Sequence, residues 1–208
     1  MSATPRGGSA VSSRERIVQS ARAEIEKKGI LGLRVQDVAA AADVSVPLIY
    51  KYFHDRDGLL AEVLSRMFEE VVLENVAAAE ELFDRLSQPS IDDFIGVLAL
   101  PQEQWRRPGR WLRAQILAAS IEIPALRSHL AVVQTHINER IVTFVRDSFL
   151  RISGRQLECP EALALLIQSS GMGFVFNDLL DDGQQVRDAQ YSELLRDLLK
   201  PYFAAERT

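Results

Sequence analysis

In the segment Asp37 to Phe53, DVAAAADVSVPLIYKYF, the residues Ser45, Val46, Pro47 and Leu48 follow a tight turn and open a short helix. A hydroxyl and three apolar side chains at a helix N-terminus suit contact with base edges in a DNA major groove, through thymine methyls and shape more than through bidentate hydrogen bonds. Holding that end outward requires a second helix. Val38, Ala39, Ala42, Val44, Ile49, Tyr52 and Phe53 supply the buried face of the pair, and small Ala39 sits where steeply crossed helices approach most closely. Asp43 tolerates the left-handed conformation in which such a first helix often closes, Ser45 is an N-cap, and Pro47 falls in a first turn that tolerates a missing N–H. The pattern is a helix-turn-helix.

Its neighbours complete a module. Ser12 and Glu15 have capping-box spacing, Ile17, Val18, Ala21 and Ile25 repeat at helical intervals, and Lys27-Lys28-Gly29 is a basic last turn with a glycine stop. These place helix one over 13–28. Asp55 or Asp57 starts a fourth helix that carries Leu59, Leu60, Val63, Leu64, Met67, Phe68, Val71 and Val72 and runs to near Leu86. The domains are therefore a tail at 1–11, a DNA-binding head at 12–58, and a helical remainder at 59–208.

Other reactive groups are dispersed. His129 and His136 are seven residues apart, His54 is isolated, and Cys159 is the single cysteine. Pairs such as Glu69-Glu70, Glu80-Glu81, Asp92-Asp93 and Asp181-Asp182 read as solvated faces and turns. No phosphate loop, nucleophile elbow or zinc spacing occurs, so neither an enzyme, a metal nor a cofactor is expected.

The net charge of −5 does not argue against DNA binding. Through Leu60 there are nine Lys or Arg against seven Asp or Glu, and basic groups on one small face suffice within a Debye length. The tail SATPRGGSAVSS reads as disordered, with Arg6 a remote minor-groove candidate. It is too polar for a signal peptide, no stretch reads as a membrane span, and a cytoplasmic location is expected.

Beyond Pro89, which stops helix four, no period-two alternation appears and the fold class is all-α. Ser90 or Asp92 restarts a helix toward Leu100, and Pro101 and Pro108-Gly109 divide the middle of the domain. Further helices cover Trp111 to before Pro124, Ala125 to Phe149, Glu161 to Leu180 and Asp188 to Ala204. Leu130, Val133, Ile137, Ile141 and Phe144 form an apolar stripe, and Ser170 and Gly171 lie in the small run Ser169-Ser170-Gly171 with Gly173. These residues are the candidate homodimer interface, a four-helix bundle, with completion of the monomer core as the alternative.

Arg14 to Ile17, Ala21, Gly29, Asp37-Val38-Ala39, Val44-Ser45, Ile49-Tyr50, Phe53, Arg56 and Leu59 together resemble the N-terminal signature of the TetR family of bacterial transcriptional regulators, over roughly 13–60. The resemblance implies a groove-facing Ser45, Val46, Pro47 and Leu48, phosphate contacts from Tyr50 and Arg56, further contacts from Lys51 and Tyr52, and one from Gln36. Arg34 stands where a capping Ser or Thr is usual and could reach a phosphate instead. Asp43 replaces a glycine and Leu48 a threonine.

The resemblance also implies an operator DNA, a small-molecule effector, a homodimer through the penultimate helices, and a ligand-binding and dimerisation domain joined to the head by helix four. Phe94, Trp105, Trp111, Gln115, Ile116, Met172, Phe176 and Asn177 combine aromatic walls with amides as pocket candidates. Arg110 and Arg113 could meet an acidic ligand or form exposed salt bridges. The chain reads as an effector-released repressor; the alternatives are an effector-independent dimeric DNA-binding protein and a helical small-molecule carrier.

Overall fold

Local signals place the first helix. In the computed structural model, which describes residues 12–99, 104–179 and 188–204, α1 (Ser13–Lys28) starts where the Ser12 hydroxyl accepts the Glu15 N–H at 3.2 Å. It stops where Gly29 takes φ 75° and its N–H bonds the Ile25 carbonyl at 2.7 Å. The tail at 1–11, with Arg6, lies outside the described residues.

Helices α2 (Val35–Ala41) and α3 (Val46–Phe53) cross over a buried set that includes Val38, Ala39, Ala42, Ile49 and Phe53. Next, α4 (Arg56–Asp84) is capped by the Asp55 side chain, which accepts the Gly58 N–H at 2.7 Å. This helix is buried from Leu59 to Phe83 in one continuous hydrophobic cluster with α1 and with the later helices. The division expected after residue 58 thus falls within a helix.

Ion pairs lock α1 to α4. Glu62 receives Arg14 at 3.0 Å and Arg66 at 2.6 Å, Arg66 also reaches Glu15 at 2.9 Å, and Arg22 meets Glu70. Burial pushes the Glu62 carboxyl up, but the hydrogen bonds from Arg14 and Arg66, helped by their charges, hold it below its ordinary 4.5. A depressed carboxyl contributes stability above its unfolded value and loses it as pH falls through the folded one. Glu62→Gln is therefore expected to lower the urea midpoint at neutral pH while shrinking the further drop on acidification below about pH 4.5. An unchanged drop would show that this clasp does not carry the acid sensitivity.

The remaining helices are α5 (Ile91–Ala99), α6 (Arg107–Glu122), α7 (Pro124–Ser153), α8 (Pro160–Leu179) and α9 (Asp188–Ala204), with a 3-10 turn at Gln104–Arg106. Among the described residues the chain is all-α, with nine α-helices and no strand. Ser90 and Asp93 cap α5 reciprocally: the Ser90 N–H and hydroxyl donate to Asp93, and the Asp93 N–H donates back to the hydroxyl. Pro108-Gly109 does not divide the domain. It lies in the first turn of α6, where a proline forfeits no helical hydrogen bond. Pro101 lies outside the described residues.

Packing corrects the expected dimer stripe. Leu130, Ile137 and Ile141 on α7 are buried within the monomer, where α7 packs chiefly on α4. Val133 and Phe144 are half-buried against the same core, and Phe144 stacks among Phe83 and Phe94. Large apolar side chains are left uncovered elsewhere: Leu165, Leu166, Phe176 and Leu179 on α8 and Leu194, Leu198 and Tyr202 on α9 are all at least half exposed. By length and apolar composition α8 could also span a membrane, contrary to the sequence expectation, with mean hydropathy 1.2 over its most apolar window. Its inner side is nevertheless tied to the helical body by the buried Arg110–Asp178 pair, at 2.6 and 2.7 Å.

Candidate functional site

The turn between α2 and α3 is built as its residues dictate. The Val44 N–H returns to the Ala39 carbonyl at 3.0 Å, and Asp43 occupies φ 52°, the left-handed region in which a short polar side chain is tolerated. Ser45 has extended N-cap dihedrals but makes no side-chain cap. The reason is Pro47: it removes one N–H that a cap would accept, while the next, that of Leu48, bonds the Ser45 carbonyl at 3.0 Å. The Ser45 side chain is left at the surface, beside exposed Pro47 and half-buried Val46 and Leu48.

The far end of α3 is equally defined. His54 takes φ 68° and donates its N–H to the Tyr50 carbonyl at 2.8 Å, so a second non-glycine left-handed residue stops the helix. Sequence reasoning weighed His54 only as a metal ligand; its place between the last apolar residue of α3 and the Asp55 cap was the available signal. A Cβ at Gly58 would run into the Phe53 carbonyl oxygen, so glycine there lets α4 start directly beneath α3. Ile49 and Phe53 anchor α3 in the core, whereas Tyr50 and Tyr52 are each 41% exposed. Tyr52 therefore does not belong to the buried face: the thin head covers only the Ile49–Phe53 line.

Arg56 has an internal use that the resemblance does not imply. Its guanidinium donates to the Leu33 carbonyl at 3.3 Å and the Ile30 carbonyl at 3.4 Å, clasping the α1–α2 loop. Arg34, at the uncapped start of α2, Gln36 and Lys51 are exposed, and their side chains make no hydrogen bond or ion pair among the described residues. The presented set is thus an unused hydroxyl, apolar flanks, two tyrosine rings and two cations, which suits a phosphate backbone bordering base edges.

The eight expected pocket residues do not converge. Phe94 and Ile116 are fully buried, Phe94 in an aromatic cluster with Phe83, Phe144 and Phe203. Trp105 is 69% exposed under the Arg106 guanidinium, Trp111 is exposed beneath Arg107, and Gln115 and Phe176 are at the surface. Met172 and Asn177 are half-buried on α8. None of the eight lines the cavity of about 80 Å³ found between α4, α5, α6, α7 and α8.

That cavity is walled mainly by apolar side chains, among them Val72, Val76, Leu98, Ile141 and Phe144, with Gly171 opening space on α8. Gly171 opens onto this cavity, and the Ser170 hydroxyl turns back to the Ile167 carbonyl at 2.9 Å. Three polar side chains enter: Asn75, Arg113 and Gln168. Asn75 donates to the Val71 carbonyl at 2.9 Å, and Gln168 is fixed by Gln134, Asn138 and the Ala164 carbonyl. Arg113 lies over the Phe68 ring at 5.7 Å, its Nε is buried without a partner, and burial pulls its guanidinium below the usual arginine range.

Comparison with known proteins agrees with this geometry. Residues 17–63 match the family model for bacterial regulatory proteins of the tetR family. The "Probable HTH-type transcriptional regulator YttP" of Bacillus subtilis (strain 168) is 24% identical over 132 residues, 64% of this chain, and the chain spans 64% of the length of this curated relative. In fold, a Rhodococcus sp. protein assigned to the TetR family of transcriptional regulators superposes with a TM-score of 0.61 at 21% identity, over 92% of this chain and 98% of its own. The multidrug binding protein EbrR, solved with imidazole, gives 0.60 at 24% identity over 95% and 98%. The head thus matches the tetR family model over residues 17–63, and the chain as a whole shares its fold with these solved structures.

Proposed function

We propose that the protein is a homodimeric DNA-binding transcriptional regulator, a repressor acting in the cytoplasm, whose operator affinity is set by a small molecule held in its helical body. The observation that carries this reading is α4: it begins beneath α3 and supplies Val72, Asn75, Val76 and Ala79 to the cavity wall. One rigid element thus touches both the reading head and an interior site. The division of labour is a head at 12–58 and an effector and dimerisation part at 59–208, joined through α4. EbrR, which binds imidazole in its crystal, supports small-molecule binding on this fold. The cavity also favours this reading over an effector-independent regulator.

A homodimer presents two α3 helices to half-sites about one helical turn apart, roughly 34–36 Å. The uncovered α8–α9 face supplies the pairing surface. Release by effector requires only unequal affinity for two arrangements of the heads; about 100-fold weaker DNA binding corresponds to roughly 2.7 kcal/mol of coupling.

Among the contact candidates, Lys51 and Tyr50 give the cleanest test, because Arg56 also holds the fold. Lys51→Ala is expected to weaken binding to DNA from the chain's own upstream region and to reduce the slope of log affinity against log salt by about one per head. Tyr50→Phe is expected to weaken binding without changing that slope. A Lys51→Ala protein that is folded yet keeps both affinity and slope would remove Lys51 from the interface.

A further inference from the structure

The α6 helix carries two arginines one turn apart with opposite fates. Arg110 is buried and matched: its Nε and Nη2 reach the two Asp178 carboxylate oxygens at 2.7 and 2.6 Å. Arg113 borders the cavity, stacks on Phe68, and has no carboxylate or hydrogen-bond acceptor among the described residues. The Arg113 side chain is half-buried and its Nε is buried without an acceptor; a partly desolvated cation without a counter-charge is costly, and proteins generally pair such a group or leave it for a ligand. The rest of the wall offers no competing anion: Asn75 and Gln168 are neutral amides already engaged within the fold, and the remaining lining is apolar.

From this the geometry points to a small amphipathic monoanion, a carboxylate on a short aliphatic or single-ring apolar body, as the occupant of the α4–α8 cavity, with Arg113 as its charge partner. The carboxylate would sit against the Arg113 guanidinium, whose planar fork matches it. Its apolar body would lie among Val72, Val76, Ile141 and Phe144. A volume of about 80 Å³ is room for roughly five to eight water-sized groups, the scale of a benzoate or a medium-chain carboxylate. A dianion or a sugar fits poorly, since one cation and two satisfied amides face an otherwise apolar wall.

The inference deepens the proposed effector reading and rests on it for biological meaning, but it is tested without DNA. Titration calorimetry and thermal shift on the full chain would use benzoate and the sodium carboxylates from acetate to decanoate, with benzamide and hexanamide as uncharged matches. At least one carboxylate is expected to bind about ten-fold or more tightly than its amide. Arg113→Met, close in volume, should abolish that preference, and Arg113→Lys should retain part of it. Arg113→Met should also melt no lower than the parent without ligand, which separates lost binding from lost folding.

The inference is overturned if no carboxylate binds, if the amides bind equally, or if folded Arg113→Met keeps the parent's preference. Operator binding measured with the winning carboxylate then addresses the other question. Unchanged DNA affinity would reject effector control while leaving the monoanion site in place.

Discussion

Asp178→Asn is expected to lower the melting temperature by roughly 6–20 °C. The Arg110 and Asp178 side chains are each only 5% exposed, so the variant leaves a guanidinium buried opposite a neutral amide. Breaking one side of such a pair costs about 3–5 kcal/mol, and a chain of this size loses roughly 2–4 °C per kcal/mol. The pair joins α6 to α8, and Arg107 adds a hydrogen bond to the Asp178 carbonyl at 2.8 Å. Replacing both partners, as in Arg110→Met with Asp178→Leu, should recover most of the loss, because the penalty lies in the unmatched charge and not in the absence of attraction. Scanning calorimetry decides: a drop below about 1 kcal/mol for Asp178→Asn would mean that water reaches the pair in solution.

The second large effect concerns assembly. If the proposed dimer pairs through α8 and α9, Phe176→Asp is expected to convert it to a monomer at micromolar concentration with the helical content unchanged. Phe176 is 74% exposed on α8, Leu165 is 65% exposed a few turns earlier, and Leu194 and Leu198 are likewise exposed on α9. Fully burying one such side chain contributes about 1.5–3 kcal/mol. A two-fold axis uses each residue twice, so the variant removes roughly 3–6 kcal/mol before the cost of burying two carboxylates is added. Operator affinity should fall with it, since a single head reads one half-site. Sedimentation velocity on Phe176→Asp and on Leu166→Asp provides the check, and a folded dimer in both variants would reject this face.

The parts of the fold legible in the sequence were those written in local chemistry. Ser12 and Gly29 fixed both ends of α1, Asp55 started α4, and Asp188 to Ala204 was found as α9 because caps, breakers and helical spacing act over a few residues. Asp43 was legible for the same reason. Ser45 was not, because the missing Pro47 N–H and the Leu48 bond to a carbonyl combine to displace its cap.

Partnership between distant helices was the harder matter. Periodicity announces that Leu130, Ile137 and Ile141 face something apolar, and either α4 or a second chain satisfies it. On α8 the apolar residues surround the whole helix, so the pattern does not divide inward from outward. The tryptophans misled for a different reason: Arg106 and Arg107 cover Trp105 and Trp111 by cation–π contact, making surface positions tolerable for rings that otherwise suggest a pocket. Arg113 was visible as a candidate for an acidic ligand, but only the contrast with the matched Arg110 distinguishes the two.

The unbroken course of α4 sets the angular sensitivity of the molecule. A helix rises 1.5 Å per residue, so its cavity-lining stretch from Val72 to Ala79 lies roughly 24–35 Å from Arg56. If that stretch acts as a pivot, a tilt of about 5° sweeps the helix start by roughly 2–3 Å, and mirrored motion in a dimer changes the head spacing by roughly 4–6 Å. Hydrogen bonds to a fixed duplex persist over a window of only about 0.5 Å. A displacement at the cavity smaller than a bond length is therefore amplified beyond what the groove contacts tolerate.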